Sequence, residues 1–192
     1  MPTIREQITQ YALDKDGLIT LSEAAALGIP AVELRKLVHR GKLTRIGRGV
    51  YRTQYSRFEP KSSFREALAL VGPEAFLIGE SALAVHDIGV FNPKRYHIAT
   101  TNRIRRNLPE YISLKRVKDI FEYDVIEYDH VRFQSPYSVL KEILWFTESE
   151  RILDAMQDAA EKGLLNPRQV SELTQNLEDR EKAKIQRIQL QG

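Results

Sequence analysis

One basic stretch, residues 30–52, constrains the fold of this chain more than any other feature. Its first part is a helix-forming run that ends at Gly41. Two short runs of strand-forming residues, 42–46 and 50–52, then flank the tripeptide Gly47-Arg48-Gly49. Glycine accepts the positive φ angles that tight hairpin turns require. The order therefore predicts a helix followed directly by a β-hairpin.

Two more helices are predicted before this stretch. Apolar residues recur at helical spacing over 3–15, and an alanine-rich run follows over 21–28. Ser22 is the expected N-cap of the second helix, and Gly28 is its expected left-handed stop. The third helix should begin at Pro30 or Ala31 and continue to about Arg40. Helix, turn, basic helix and hairpin together predict a winged helix-turn-helix.

The charge of the chain is concentrated in the same region. The formal net charge is only +3, but residues 1–58 hold ten lysines and arginines against five acidic residues, and the remainder sums to −2. No acidic residue lies between Leu34 and Phe58. Such asymmetry favours a nucleic-acid partner for the N-terminal part, and the alternative is an ordinary solvated face.

The side chains expected to contact DNA are polar or basic and lie on the second and third predicted helices and on the hairpin. The third helix should enter the major groove, and the hairpin arginines should contact the backbone or the minor groove. The predicted DNA-binding residues are Ser22, Arg35, Lys36, His39, Arg40, Lys42, Arg45, Arg48, Tyr51 and Arg52.

A second domain is predicted after a polar linker over 53–63. We place the boundary so that residues 1–58 form the winged helix-turn-helix and residues 59–192 form a mixed α/β domain with a helical C-terminus. The fold class is thus α+β. Within the second domain, Ser63 is the expected N-cap of a first helix. Strands are predicted over 96–100, 111–117, 121–128 and 131–133, and helices over 63–71, 79–87, 136–146, 148–162 and 166–177.

No residue pattern in the second domain predicts catalysis. Gly79 and the small-residue helix after it resemble the glycine turn and short helix of nucleotidyltransferase-like domains. In those domains the following strand carries carboxylates that hold Mg²⁺, and the strand at 96–100 lacks them. Glu122 with Asp124, and Glu127 with Asp129, would share strand faces. They could bind a divalent ion beside His130, or simply form the outer face of a sheet. We expect no enzyme activity, no metal and no cofactor.

Other features narrow the setting. A basic loop carrying Arg103, Arg105 and Arg106 offers possible additional phosphate contacts, or is a solvated loop tip. The absence of cysteine fits a reducing compartment. No apolar run resembles a signal peptide or a membrane span. A cytoplasmic protein without a membrane partner is therefore expected.

The order of these residues resembles that of the AbiEi antitoxins of abortive-infection toxin–antitoxin systems. The resemblance is strongest over 20–52. The matching residues are Gly28-Ile29, Leu37, Gly41, Leu43, Arg45, Gly47, Gly49, Val50 and Tyr51. Weaker matches follow at Ser81-Ala82-Leu83 with His86, at the strand over 96–100, and at Ser135-Pro136.

The resemblance implies a transcriptional autorepressor that acts as the antitoxin of a type IV system. Its partners would be double-stranded DNA carrying promoter inverted repeats and a nucleotidyltransferase-like toxin that it opposes without a stable complex. It would be a monomer or a weak dimer that can pair on DNA. Three alternatives stay open: a stand-alone regulator, a nucleotide-binding or enzymatic C-terminal domain whose winged helix makes protein contacts, and a recombination or restriction accessory protein.

Overall fold

The computed structural model of the chain describes residues 2–55 and 61–191, with side chains up to residue 186. Its contacts divide into two compact units. The first unit contains the residues up to Ala75 with Ile104–Leu108 and Asp129–Val131, and the second contains Phe76–Arg103, Pro109–Tyr128 and the chain from Arg132. The predicted domain boundary after residue 58 lies outside the described residues and stays a prediction.

The first unit begins with helices and continues with strands, as predicted. Its elements are α1 (Ile4–Ala12), a 3-10 turn (Leu13–Lys15), β1 (Leu18–Thr20), α2 (Leu21–Ala26), α3 (Ala31–His39), β2 (Leu43–Gly47), β3 (Val50–Thr53) and α4 (Ser62–Val71). The three strands form an antiparallel sheet in the order β1-β3-β2. This arrangement is consistent with a winged helix-turn-helix.

A small apolar core holds these elements together. Ile8 of α1, Ile19 of β1 and Leu34 of α3 are almost completely buried, and Leu43 and Tyr51 of the hairpin pack against them. Leu34 is fully buried and Leu37 and Val38 are half-buried beside it, while Val32, Lys36 and His39 are exposed, as an amphipathic helix requires. The core therefore fixes which face of α3 points outward.

Two predicted helix caps are wrong. Thr20, not Ser22, caps α2: the Thr20 hydroxyl accepts a hydrogen bond from Glu23 N at 3.2 Å, and Glu23 Oε2 accepts from Thr20 N at 2.8 Å. The first helical residue is Leu21, so Ser22 already lies inside the helix. Ser63 likewise lies inside α4, whose N-cap is Lys61 with no side-chain capping bond.

The second unit contains a five-stranded mixed sheet and several helices. Its elements are β4 (Phe76–Leu77), α5 (Glu80–Val85), β5 (Tyr96–Thr100), β6 (Ile112–Arg116), β7 (Val125–Tyr128), β8 (Val131–Gln134), α6 (Pro136–Ile143), α7 (Ser149–Glu161) and α8 (Pro167–Gln191). The strand order is β6-β5-β4-β8-β7. β4 runs antiparallel to β5 and parallel to β8, and β5 runs parallel to β6.

The structure corrects three predictions in this unit. The strand predicted over 121–128 is shortened, because Phe121–Tyr123 form a 3-10 turn and Asp124 has a φ of 46°. The helix predicted over 136–146 ends at Ile143, and Trp145 beyond its end is 56% exposed. The last helix continues to Gln191 instead of stopping near residue 177.

Candidate nucleic-acid interface

Helix α3 presents a ridge of exposed side chains opposite its buried side. Successive residues are rotated by about 100° on a helix, so Val32, Lys36 and His39 project away from fully buried Leu34. All three are exposed. Lys36 Nζ lies 2.7 Å from Glu33 Oε1, an exposed i,i+3 pair that leaves the ammonium accessible. Lys36 and His39 thus lie on the exposed side of α3, and their contact with DNA stays a prediction.

The hairpin that follows forms a wing with a two-residue tip. β2 and β3 pair from Leu43 and Thr53 to Gly47 and Val50, with a bulge between Arg45 and Gly47. Gly49 adopts a φ of 75°, which closes the tip. Arg48 is exposed at this tip, and Arg45 Nε donates to Gly47 O at 3.2 Å.

A cleft of about 830 Å³ lies between α3, the wing and the end of α4, entirely within the first unit. We call it the wing cleft. Four arginines line it, with no carboxylate among its lining residues. These arginines are Arg35, Arg45, Arg48 and Arg106. Ser22 lines the same cleft and is exposed. A cleft of this charge suits a phosphodiester backbone.

Two predicted contact residues have structural partners inside the first unit. Tyr51 is only 6% exposed and belongs to the core, although one edge of it borders the wing cleft. Arg52 Nη2 lies 2.5 Å from Glu66 Oε2 of α4 and is half-buried. Their proposed contact with DNA stays untested, and both side chains hold the wing in place.

Arg106 also has an internal role. Its Nη2 donates to Leu70 O and to Val71 O, each at 2.7 Å, and its Nε donates to Leu70 O at 3.2 Å. Because the last carbonyls of a helix have no partner within it, this guanidinium caps the C-terminus of α4. Arg105 beside it is exposed, and so is Arg103 in the second unit.

A half-buried ion pair supports the start of α2, beside the wing cleft. Lys15 Nζ lies 2.7 Å from Glu23 Oε1, and the same carboxylate accepts the hydrogen bond from Thr20 N in the α2 cap. Burial raises the pKa of Glu23, but hydrogen bonds from Lys15 and Thr20 outweigh it and hold that pKa below its ordinary value of 4.5. The pKa of Lys15 is raised because its bonds to Glu23 and Tyr11 outweigh the effect of burial.

The predicted placement of Glu122 and Asp124 on one strand face, as a cation site or as an outer sheet face, is wrong. Asp124 leaves the extended conformation, so it does not share a strand face with Glu122. Asp124 Oδ2 instead accepts a hydrogen bond from Ser135 Oγ at 2.6 Å. Among the residues that the structure describes, no three His, Asp or Glu side chains are placed to hold one metal ion.

Over residues 2–55 and 61–191, no helix has the length and hydrophobicity needed to span a membrane.

A known family model matches the N-terminal region. Residues 6–54 match the family model described as transcriptional regulator, AbiEi antitoxin. The resemblance to AbiEi antitoxins is thus confirmed for this region, which runs from α1 through β3. The match supports a regulatory antitoxin role.

The crystal structure of the RV2827C protein from Mycobacterium tuberculosis superposes with a TM-score of 0.45 and 16% identity, covering 94% of this chain and 78% of that one. No curated protein sequence matches the chain.

Proposed function

We propose that this protein is a sequence-specific DNA-binding repressor that regulates its own promoter and acts as the antitoxin of a type IV toxin–antitoxin system. One observation carries the proposal. The region that matches the AbiEi regulators supplies three of the four arginines of the wing cleft, which has no carboxylate among its lining residues and lies between a helix with an exposed basic ridge and a hairpin wing.

The proposed interface assigns different roles to the ridge and to the wing. The ridge of α3 enters the major groove, where Lys36 and His39 reach base edges. Arg35, Arg45 and Arg48 contact phosphates from the wing cleft, and exposed Ser22, Arg40 and Lys42 are further polar contacts. Phosphate contacts fix the orientation of the protein, whereas base contacts supply the sequence preference.

For its partners, we propose those that the resemblance to AbiEi antitoxins implies. Its DNA target is a pair of inverted repeats in its own promoter, occupied by a monomer or weak dimer that pairs on the DNA. Its functional partner is a nucleotidyltransferase-like toxin, which it opposes without a stable complex. Its location is the cytoplasm.

A binding titration tests the DNA-binding part of the proposal. A labelled duplex from the region upstream of the gene is compared with a scrambled duplex of equal length and composition. A specific repressor binds its site at least about 10³-fold more tightly than unrelated DNA. Equal affinity for both duplexes, or no binding to either, contradicts the proposal.

Growth rescue tests the antitoxin part. The proposal predicts a nucleotidyltransferase-like gene beside this one; that gene, expressed alone, should arrest growth, and co-expression of this protein from an unrelated promoter should restore it. Arg48→Ala should still rescue, because the proposed toxin antagonism does not use the wing. Growth arrest that persists with the wild-type protein contradicts the antitoxin assignment and leaves the repressor assignment standing.

A further inference from the structure

A second basic cleft lies on the other flank of α3. It measures about 760 Å³ and is formed by residues of α1, the end of α3, the start of the wing and Tyr55, all within the first unit. We call it the α1 cleft. Arg5, Arg40 and Lys42 line it. Its carboxylate, Glu6, accepts a hydrogen bond from Thr3 N at 2.7 Å as part of the cap of α1.

The helical rotation of α3 explains why the two clefts lie on opposite flanks. Taking the buried Leu34 as the inner side, residues Arg35 and Val38 fall on one flank and line the wing cleft. Leu37 and Arg40 fall on the other flank and line the α1 cleft. The exposed ridge runs between them, so a cationic cleft borders it on each side.

Two hydrogen bonds connect the segments that form the α1 cleft, and one of them positions Arg5. Arg5 Nη2 donates to Tyr55 Oη at 3.1 Å, and the guanidinium carbon lies 5.8 Å from the centre of the Tyr55 ring. Gln54 Nε2 donates to Gly41 O at 2.5 Å and so ties the segment after β3 to the start of the wing. Arg40 and Lys42 form no ion pair within the described part of the chain.

We propose that the α1 cleft binds the sugar-phosphate backbone of the second DNA strand. The inference rests on the proposed function and specifies its geometry. A helix lying in the major groove, which is about 12 Å wide, has one phosphate backbone on each side. The wing cleft holds one strand, and the α1 cleft holds the complementary strand across the same groove.

The α1 cleft makes a defined contribution to affinity. Neutralising one phosphate-contacting cation weakens binding to all sequences and reduces the slope of log affinity against log salt by about 1. Arg5→Ala and Lys42→Ala should each have this effect. Tyr55→Phe removes the hydroxyl that holds Arg5 but keeps the ring, so it should weaken binding less than Arg5→Ala.

Ethylation interference on the promoter duplex tests the strand assignment. With the wild-type protein, ethylated phosphates should interfere on both strands bordering one major groove. Lys42→Ala and Arg5→Ala should remove the interference on one strand only, and Arg48→Ala should remove it on the other. Lys184→Ala is the charge-matched control, because Lys184 is exposed on α8 and lines neither cleft.

The outcomes separate this inference from the proposed function. If the wild-type protein binds and Arg48→Ala weakens binding, but Arg5→Ala and Lys42→Ala behave like Lys184→Ala, the second backbone site is refuted and the repressor assignment stands. Loss of interference on the same strand for Arg48→Ala and Lys42→Ala also refutes it. Absence of any salt-sensitive binding by the wild-type protein overturns the proposed function and this inference together.

Discussion

Replacing Arg65 by alanine should destabilise the first unit severely. Arg65 is 5% exposed and pairs with Asp16, which is also 5% exposed, and with Asp129. Its Nε donates to Asp129 O at 3.0 Å. Truncation leaves the carboxylate of Asp16 buried without its cation, a change that costs about 3–5 kcal/mol. For a chain of this length that loss lowers the melting temperature by about 6–20 °C.

Urea unfolding followed by far-ultraviolet circular dichroism measures this loss. The matched control is Asp129→Asn, because Asp129 is 42% exposed and asparagine tolerates its φ of 51°. That control should cost less than about 1 kcal/mol. A loss for Arg65→Ala as small as that for Asp129→Asn would refute the argument from burial.

Removing both charges of the buried pair gives an independent check. The double variant Asp16→Asn with Arg65→Met should lose less free energy of unfolding than the sum of its single variants, because no buried charge is left without a partner. Asparagine also accepts the φ of 53° at position 16. Strict additivity would mean that the two side chains do not interact.

Three further changes test the supports of the interface. Thr20→Ala should lower the free energy of unfolding by about 1 kcal/mol through loss of the α2 cap, measured by urea titration, with Ser22→Ala as the nearly silent comparison. The pKa of Glu23 is lowered in the folded state, so the stabilisation from its carboxylate is complete above pH 4.5 and is lost as the pH falls through the folded-state pKa. The free energy of unfolding of the wild type should therefore drop in acid. That of Glu23→Gln should depend less on pH. Arg106→Ala should cost about 1.5–3 kcal/mol because it leaves two α4 carbonyls without their charged donor, and an unchanged unfolding midpoint would contradict this.

The helices and wing of the first unit could be predicted because their signals are local. Gly41 ends α3, and the glycines at 47 and 49 surround the tip of a hairpin whose strands alternate over a few residues. The cap of α2 was also readable, since Thr20 is followed three residues later by Glu23, the spacing of a capping box. The prediction of Ser22 is wrong because the residue three positions after it is Ala25, which cannot complete a capping box.

The clefts and the buried pair could not be predicted, because their partners are distant in sequence. Arg5 and Tyr55 are 50 positions apart, and Arg65 and Asp16 are 49 positions apart. No periodicity relates such residues. The same reason explains why the sequence predicts Arg106 as a phosphate contact or part of a solvated loop tip, while its bonds reach carbonyls 35 and 36 positions away. The strand predicted through Asp124 is wrong because no glycine in the sequence marks the positive φ of this residue.

The salt dependence of binding to the promoter duplex tests the central claim most directly. Three cations of the wing cleft, Arg35, Arg45 and Arg48, and three of the α1 cleft, Arg5, Arg40 and Lys42, make six phosphate contacts in all. Six contacts predict a slope of log affinity against log salt of about −5, or a loss of about 10³-fold between 50 and 200 mM salt. Fluorescence anisotropy titrations at several salt concentrations measure it. A slope near zero, or one that Arg48→Ala leaves unchanged, would contradict DNA binding through this surface.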